Sequence, residues 1–360
     1  MENTIDLKQL EMAKRICNNK MDEVKDKDGN IIASDEGALL KMVNSAFDKA
    51  SGDINNIQAF RDLNKLIVTT AEALAEPDIQ KTINLVAQYQ KVGANDVMQY
   101  DVNDNKVRVS MALTATGTGV DFTKIPSYKK KQFATARKHQ FGVKYSVSRM
   151  ISDPVNEFRN ATQYVAEEKV KYVMSQIYIV LRNAVTASKI PAKQMHETAG
   201  ITFPEFKAIE SSLLRYGRNA RPIMIADTAF ISDLADKQAS VSATGMTNTP
   251  LYLTDAMREH LLHDIEIEQI SKTMAIAIDN PYTDRMNSKV DLPVDEAILV
   301  AGGSSSPFRV TDFGDMAVAS DNLDINLETE EVNMKISYKV DITLLLTQAV
   351  GYIKNTNVTL

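Results

Sequence analysis

The side chains best suited to chemistry in this 360-residue chain are few and scattered. Asp312-Phe313-Gly314 matches the metal-binding triplet of protein kinases, but a kinase also needs a His-Arg-Asp loop and a glycine-rich phosphate loop, and neither is present. The triplet alone is expected to be a turn. Gly117-Thr118-Gly119 begins a dinucleotide fingerprint, yet Phe122 stands where the third glycine belongs and no βαβ pattern frames it. Gly302-Gly303-Ser304 lacks the Gly-Lys-Ser/Thr ending of a phosphate loop. His260 and His263, flanked by Glu259 and Asp264, would share a helix face. A metal site needs about three or four ligands, however, and His139, His196 and the single cysteine, Cys17, lie far away in sequence. There is no nucleophile elbow, and carboxylate pairs such as Glu330-Glu331 are too common to signify. No catalytic residue, metal ligand or cofactor is assigned.

Charge is distributed with more purpose. From Lys124 to Lys144 there are seven basic residues and no acid: Lys124, Lys129, Lys130, Lys131, Arg137, Lys138 and Lys144. From Asp315 to Glu331 there are six acids and no base: Asp315, Asp321, Asp324, Glu328, Glu330 and Glu331. Both runs can be solvated faces. Alternatively, a basic loop on one subunit meets an acidic rim on its neighbour, where opposite potentials steer docking and set register more than affinity. A third reading is sequence-blind phosphate binding by the basic run.

The elements that would position these charges change in character along the chain. Residues 1–94 show short helical stripes: Leu7, Leu10, Ala13 and Ile16; Leu39, Val43, Ala46 and Phe47; Leu63, Leu66, Ile67 and Thr70. Pro77 is expected to open a further helix. Such narrow stripes predict an arm lying on another surface. Over 95–150, Val107 to Leu113 and Phe141 to Val147 alternate as strands, and the Thr-, Gly- and Lys-rich stretch between them predicts a projecting hairpin loop. Asp153-Pro154 is a helix start, and Phe158, Val165, Val173, Ile177, Leu181 and Ala184 carry the helix to about Ala187. That helix would be about 50 Å long. Residues 200–314 alternate helix and strand: a helix over Phe203 to Tyr216 ended by Gly217, strands at Pro222–Ala226 and Ala297–Ala301, and more strand within Leu261–Ile278. From Val332 to Leu346 apolar residues alternate as one long strand.

Bulk composition narrows the field. Apolar residues make up 44% and charged residues 24%, which excludes disorder over most of the length. The net charge of -6 disfavours a protein dedicated to phosphate contacts. One cysteine forbids an internal disulfide and fits a reducing compartment. No apolar run reaches the roughly 20 residues of a membrane span, and Met1 to Lys20 lacks the apolar core of a signal peptide. A soluble cytoplasmic product is expected.

This order of parts resembles the Hong Kong 97-type (HK97-like) major capsid proteins of tailed bacteriophages. The resemblance rests on the hairpin loop, the spine helix opened by Asp153-Pro154, the segment Arg221-Pro222-Ile223-Met224-Ile225-Ala226 before a helix, and the returning strands at Phe308-Arg309-Val310, Ile325-Asn326-Leu327 and Val332 to Tyr352. It implies an α+β fold: an N-terminal helical arm over 1–94, an extended loop over 95–150, a peripheral domain with the spine helix over 151–199, a mixed α/β axial domain over 200–314, and peripheral strands over 315–360. It also implies self-assembly into pentamers and hexamers of an icosahedral shell around double-stranded DNA, in the virion after assembly in the host cytoplasm. The implied partners are other copies of the chain, scaffolding, portal and decoration proteins, and packaged DNA without sequence specificity, but no membrane. The competing readings are the shell of a cellular nanocompartment and an α/β enzyme with its site in 200–314. Lysines 124, 129, 130, 131, 138 and 144 with Arg137, and Asp321, Asp324, Glu328, Glu330 and Glu331, are the expected contacts between subunits.

Overall fold

The computed structural model describes residues 6–25, 31–49, 52–84, 86–102, 130–244, 269–278, 280–303, 306–318, 324–326 and 331–360. In chain order the elements are α1 (Leu7–Cys17), β1 (Glu23–Lys25), β2 (Ile31–Ser34), α2 (Asp35–Ala46), α3 (Ile57–Ile83), β3 (Ala87–Val92), β4 (Gln99–Val102), β5 (Lys130–Phe133), β6 (Arg137–Ser146), α4 (Val147–Ser152) and α5 (Pro154–Thr186). Then come β7 (Met195–Thr198), α6 (Phe203–Tyr216), β8 (Ile223–Ala226), α7 (Thr228–Thr244), β9 (Gln269–Ile270), β10 (Thr273–Ala277) and β11 (Glu296–Val300). The last strands are β12 (Phe308–Phe313), β13 (Ala317–Val318), β14 (Asp324–Asn326), β15 (Glu331–Leu344) and β16 (Val350–Asn355).

Helix α5 forms where the sequence places it. The Asp153 carboxylate accepts the Asn156 amide at 3.3 Å, and Pro154, which has no amide to satisfy, fills the first turn. All 33 residues are helical without a break, giving a rod of about 50 Å. Its buried stripe includes Phe158, Val165, Lys169, Val173, Ile177 and Leu181. Lys169 fills the eight-residue gap between Val165 and Val173, so a charge sits where the spacing asks for an apolar residue.

Helix α3 runs 27 residues straight through Pro77, where a new helix was expected. The proline forgoes one amide bond. Ala71, Ala75, Ile79 and Ile83 stay buried on either side of it, and that packing keeps the helix continuous.

Two sheets share the chain. In the first, β15 pairs along one edge with β6, and along its other edge with β14, β13 and β12 in turn; β12 pairs onward with β3 in parallel. Helices α3 and α5 pack on one face of it. The second sheet runs β7-β16-β11-β8-β10-β9. Ile225, Ile298, Val300, Val350 and Tyr352 on one of its faces join the core of α5. Phe206, Leu213, Phe230 and Leu234 of α6 and α7 pack a separate core on the other.

Gly302 and Gly303 serve this second unit. A Cβ on Gly302 would lie 1.9 Å from the Arg221 carbonyl oxygen, and Gly303 adopts φ 66°, so backbone crowding accounts for the pair.

Four expectations need correction. The N-terminal helices do not form an arm: Ile16, Leu39, Val43, Phe47, Phe60 and Leu63 belong to the same core as α5. Each stripe is narrow, but stacked against a long helix they sum to a shared interior. The strand over Phe141–Val147 is mostly β6, and its partner is β15; the hairpin base is instead β4 with β5. Val107 to Leu113 lies outside the described residues. The expected boundaries at 199 and 314 also shift, because β7 and β16 lie in the second sheet and β12 in the first. Lastly, Asp312-Phe313 ends a strand and is no turn, and Asp312 is fully buried.

Candidate assembly surfaces

The first sheet has two unlike faces, fixed by strand alternation. Toward the helices point Asp312 of β12, Tyr89 and Lys91 of β3, and Tyr338 of β15. There the Lys169 ammonium lies 3.0 Å from Asp312 Oδ2 and 3.6 Å from Glu72 Oε1 of α3, and 4.6 Å from the centre of the Tyr338 ring. Tyr89 donates to Asp312 Oδ2 at 2.8 Å. Lys91 reaches Glu72 at 2.8 Å and Asp315 at 2.7 Å, and the Met316 amide donates to Glu72 Oε2 at 3.0 Å. Burial pushes the Glu72 carboxyl up, against the pull of Lys169 and Lys91. Burial, then the Asp312 charge, pushes the Tyr89 phenol up. The cluster ties α3, α5, β3 and β12 together.

On the opposite face the β6–β15 ladder sets Lys138 directly opposite Lys339, Gln140 opposite Ser337, Gly142 opposite Lys335 and Lys144 opposite Asn333. Lys144 keeps 61% of its side chain exposed and meets Glu331 at 3.6 Å. Among the described residues Lys138, Lys335 and Lys339 make no ion pair. The next residue of this face, Asp341, is buried and accepts the Thr343 hydroxyl at 2.7 Å. Beside it the hairpin base closes over the sheet: Tyr100 of β4 hydrogen-bonds Thr311 of β12, and Tyr100, Ala134 and Phe313 form a small core. Residues 103–129 connect the two strands of that base and lie outside the described residues.

The expected contact residues therefore separate. Lys130 and Lys131 lie in the hairpin base, opposite Val102 and Asp101. Lys131 and Arg137 are exposed, and Arg137 stands opposite Val340 on the helix-facing parity of β6. Among the described basic residues of the run, Lys138 and Lys144 share the outer sheet face. Lys124 and Lys129 lie outside the described residues, as do Asp321, Glu328 and Glu330. Asp324 pairs with Asn333 in the β14–β15 ladder, and Glu331 opens β15. His260 and His263 also lie outside the described residues, and no cluster of potential metal ligands occurs among those described. Lys335 and Lys339 were missed. Alternation in β15 puts them on the polar face, but only the pairing register sets them against β6.

A family model described as "SPbeta prophage-derived putative capsid protein YonB" matches residues 7–354. The chain belongs to this family. A relative in Bacillus subtilis (strain 168), the "SPbeta prophage-derived uncharacterized protein YonB", is 28% identical over 341 residues, covering 94% of each protein. Among solved structures, a chain of Microbacterium phage Oxtober96 is similar at TM-score 0.46 and 12% identity, over 76% of this chain and 90% of that one. A chain of the mature capsid of bacteriophage PhiM1 is similar at TM-score 0.44 and 9% identity, over 76% and 87%. The YonB-family chain is thus a capsid protein of phage type, a structural protein and not an enzyme. Its α+β chain order runs from hairpin base through spine helix and mixed second sheet to the returning strands.

Proposed function

We propose that this YonB-family chain is the major shell subunit, forming pentamers and hexamers of an icosahedral capsid that encloses double-stranded DNA. Assembly takes place in the host cytoplasm, with scaffolding, portal and decoration proteins as partners. The observations that support this most are a helical rod of 33 residues and a two-stranded base, β4 with β5, that brackets residues 103–129. A rod extends a subunit's reach without a larger core. Repeated heterologous contacts close into a shell when their curvature is right. Each contact can be weak because every subunit makes several at once.

Negative-stain microscopy and sedimentation velocity of the purified chain test the reading. Shells, tubes or capsomer rings are expected. A strictly monomeric species at high concentration overturns it.

A further inference from the structure

We infer that the buried cluster around Lys169 is a proton-operated latch: one proton taken up from solvent tightens α3 and α5 onto the first sheet, and its loss loosens them. A single subunit suffices for this, whether or not copies of the chain form a shell.

Five elements and one turn meet at the cluster. Glu72 comes from α3, Lys169 from α5, Tyr89 and Lys91 from β3, Asp312 from β12, Asp315 from the turn that follows it, and Tyr338 from β15. Three carboxylates therefore share two ammonium groups. Glu76 of α3 adds a further negative charge near Tyr89. Burial first, then the Asp312 charge, pushes the Tyr89 and Tyr338 phenols up, so both stay neutral. His139 of β6 stands across the ladder from Tyr338, but the Tyr172 hydroxyl of α5 engages its ring nitrogen at 2.5 Å. Lys169, Asp312 and Glu72 are all buried, so water offsets little of the surplus negative charge.

The distances say what one proton does. With Glu72 ionised, Lys169 is divided between Asp312 at 3.0 Å and Glu72 at 3.6 Å, and Lys91 between Asp315 at 2.7 Å and Glu72 at 2.8 Å. With Glu72 neutral, two matched pairs remain, Lys169 with Asp312 and Lys91 with Asp315. The Met316 amide keeps its acceptor, because Glu72 Oε2 can serve as the carbonyl oxygen. The surplus is removed without moving a helix. Asp315 is exposed and Lys91 half-buried, so the proton can arrive at that rim. Burial also holds the Glu72 carboxyl above its ordinary value, against the pull of Lys169 and Lys91. A carboxyl raised in this way stabilises the fold fully below its unfolded value, and the contribution is lost as pH rises through the folded one. Glu72 and Lys169 sit near the middle of α3 and α5, so the charge state acts on the docking of both long helices at once.

The full-length Glu72→Gln variant, permanently neutral and nearly the same shape, tests the latch. Between pH 5 and pH 8 the urea midpoint of the parent should fall relative to that of the variant. His139 and the other groups that titrate there are common to both chains and cancel. At pH 8, amide hydrogen exchange in the middle of α3 and α5 should be about fivefold slower in the variant than in the parent, and at pH 5 the two should agree within about twofold. If the variant is instead weaker than the parent by the same amount at both pH values, Glu72 is an ordinary ion-pair partner and there is no latch. Infrared difference spectra of the parent alone decide the matter should the variant not fold. The band of a buried, protonated carboxyl should grow as pH falls from 8 to 5, and its absence overturns the inference. The same band persisting in folded Glu72→Gln places the proton elsewhere and overturns it too.

Discussion

On the helix side of the first sheet Lys169 exposes none of its side chain and lies within ion-pair distance of Asp312 and Glu72, whereas on the outer side Lys144 exposes 61% and, among the described residues, meets Glu331. The same backbone alternation produces both situations. The difference lies in what covers each face. Two long helices seal the inner side, so a charge there must arrive with its partners or cost several kcal/mol. Nothing described covers the outer lysines beyond the hairpin base, so water screens them and partners are optional. Inner charges therefore serve the fold of one subunit, and the outer lysines are held to it more loosely.

The largest test of this contrast compares one substitution on the two faces. Lys169→Met keeps much of the side-chain volume but leaves Asp312 and Glu72 without their shared cation in a sealed interior. A loss of about 3–5 kcal/mol is expected, read from urea midpoints at fixed m-value. Lys335→Met on the outer face should change stability by no more than about 0.5 kcal/mol. Equal effects from the two would mean that the helix side is no drier than the outer side.

A pair at the rim of the helix layer should fall between these extremes. Arg15 Nη2 lies 2.7 Å from Asp35 Oδ1, with Arg15 34% and Asp35 9% exposed. The Arg15 hydrogen bond, helped by the Asp22 amide, holds the Asp35 carboxyl below its ordinary value despite partial burial. A depressed carboxyl stabilises the fold above its unfolded pKa of about 3.9, and that contribution disappears as pH falls through the lower folded value. Asp35→Asn should thus cost about 1 kcal/mol near neutrality, discounted for the exposure of Arg15. It should cost less as pH drops below 4. A penalty that stays constant down to pH 2 would show that packing, and not the ion pair, is what the substitution removes.

Much of this architecture could be read from the sequence, and the failures share a cause. Helix α5 is framed by Asp153, Pro154 and a stripe of local spacings, so its span was legible to within a residue or two. Helix α6 and strands β8, β11 and β15 carry equally local signals. What could not be read depends on pairing between distant segments. Residues 87–92 fall in the N-terminal stretch of helical stripes, and only the parallel partner β12 makes them strand β3. Lys169 looked like a gap in a stripe because its compensation comes from Glu72 and Asp312, far away in sequence. The basic run reads as one patch in sequence, yet β5 and β6 belong to different sheets, which divides it between hairpin base and sheet. Half of the lysine face, Lys335 and Lys339, comes from a strand noted only for its apolar residues.

The smallest expected effect is also the one whose sign separates the two faces most cleanly. Lys339→Glu replaces a like-charged cross-strand pair with an opposite one at Lys138. If the outer lysines are uncompensated within the subunit, this charge reversal should stabilise the isolated chain by a few tenths of a kcal/mol, up to about 1. The gain should shrink as salt rises past the point where the Debye length falls to about 3 Å, near 1 M. A urea midpoint that moves upward at low salt, and returns to the parental value at high salt, would show a surface that holds repulsion in reserve. Reversing a lysine whose partners are already in place can only destabilise. A lower midpoint for Lys339→Glu at low salt would therefore mean that Lys339 already has its carboxylate within the subunit, and the contrast between the faces would collapse.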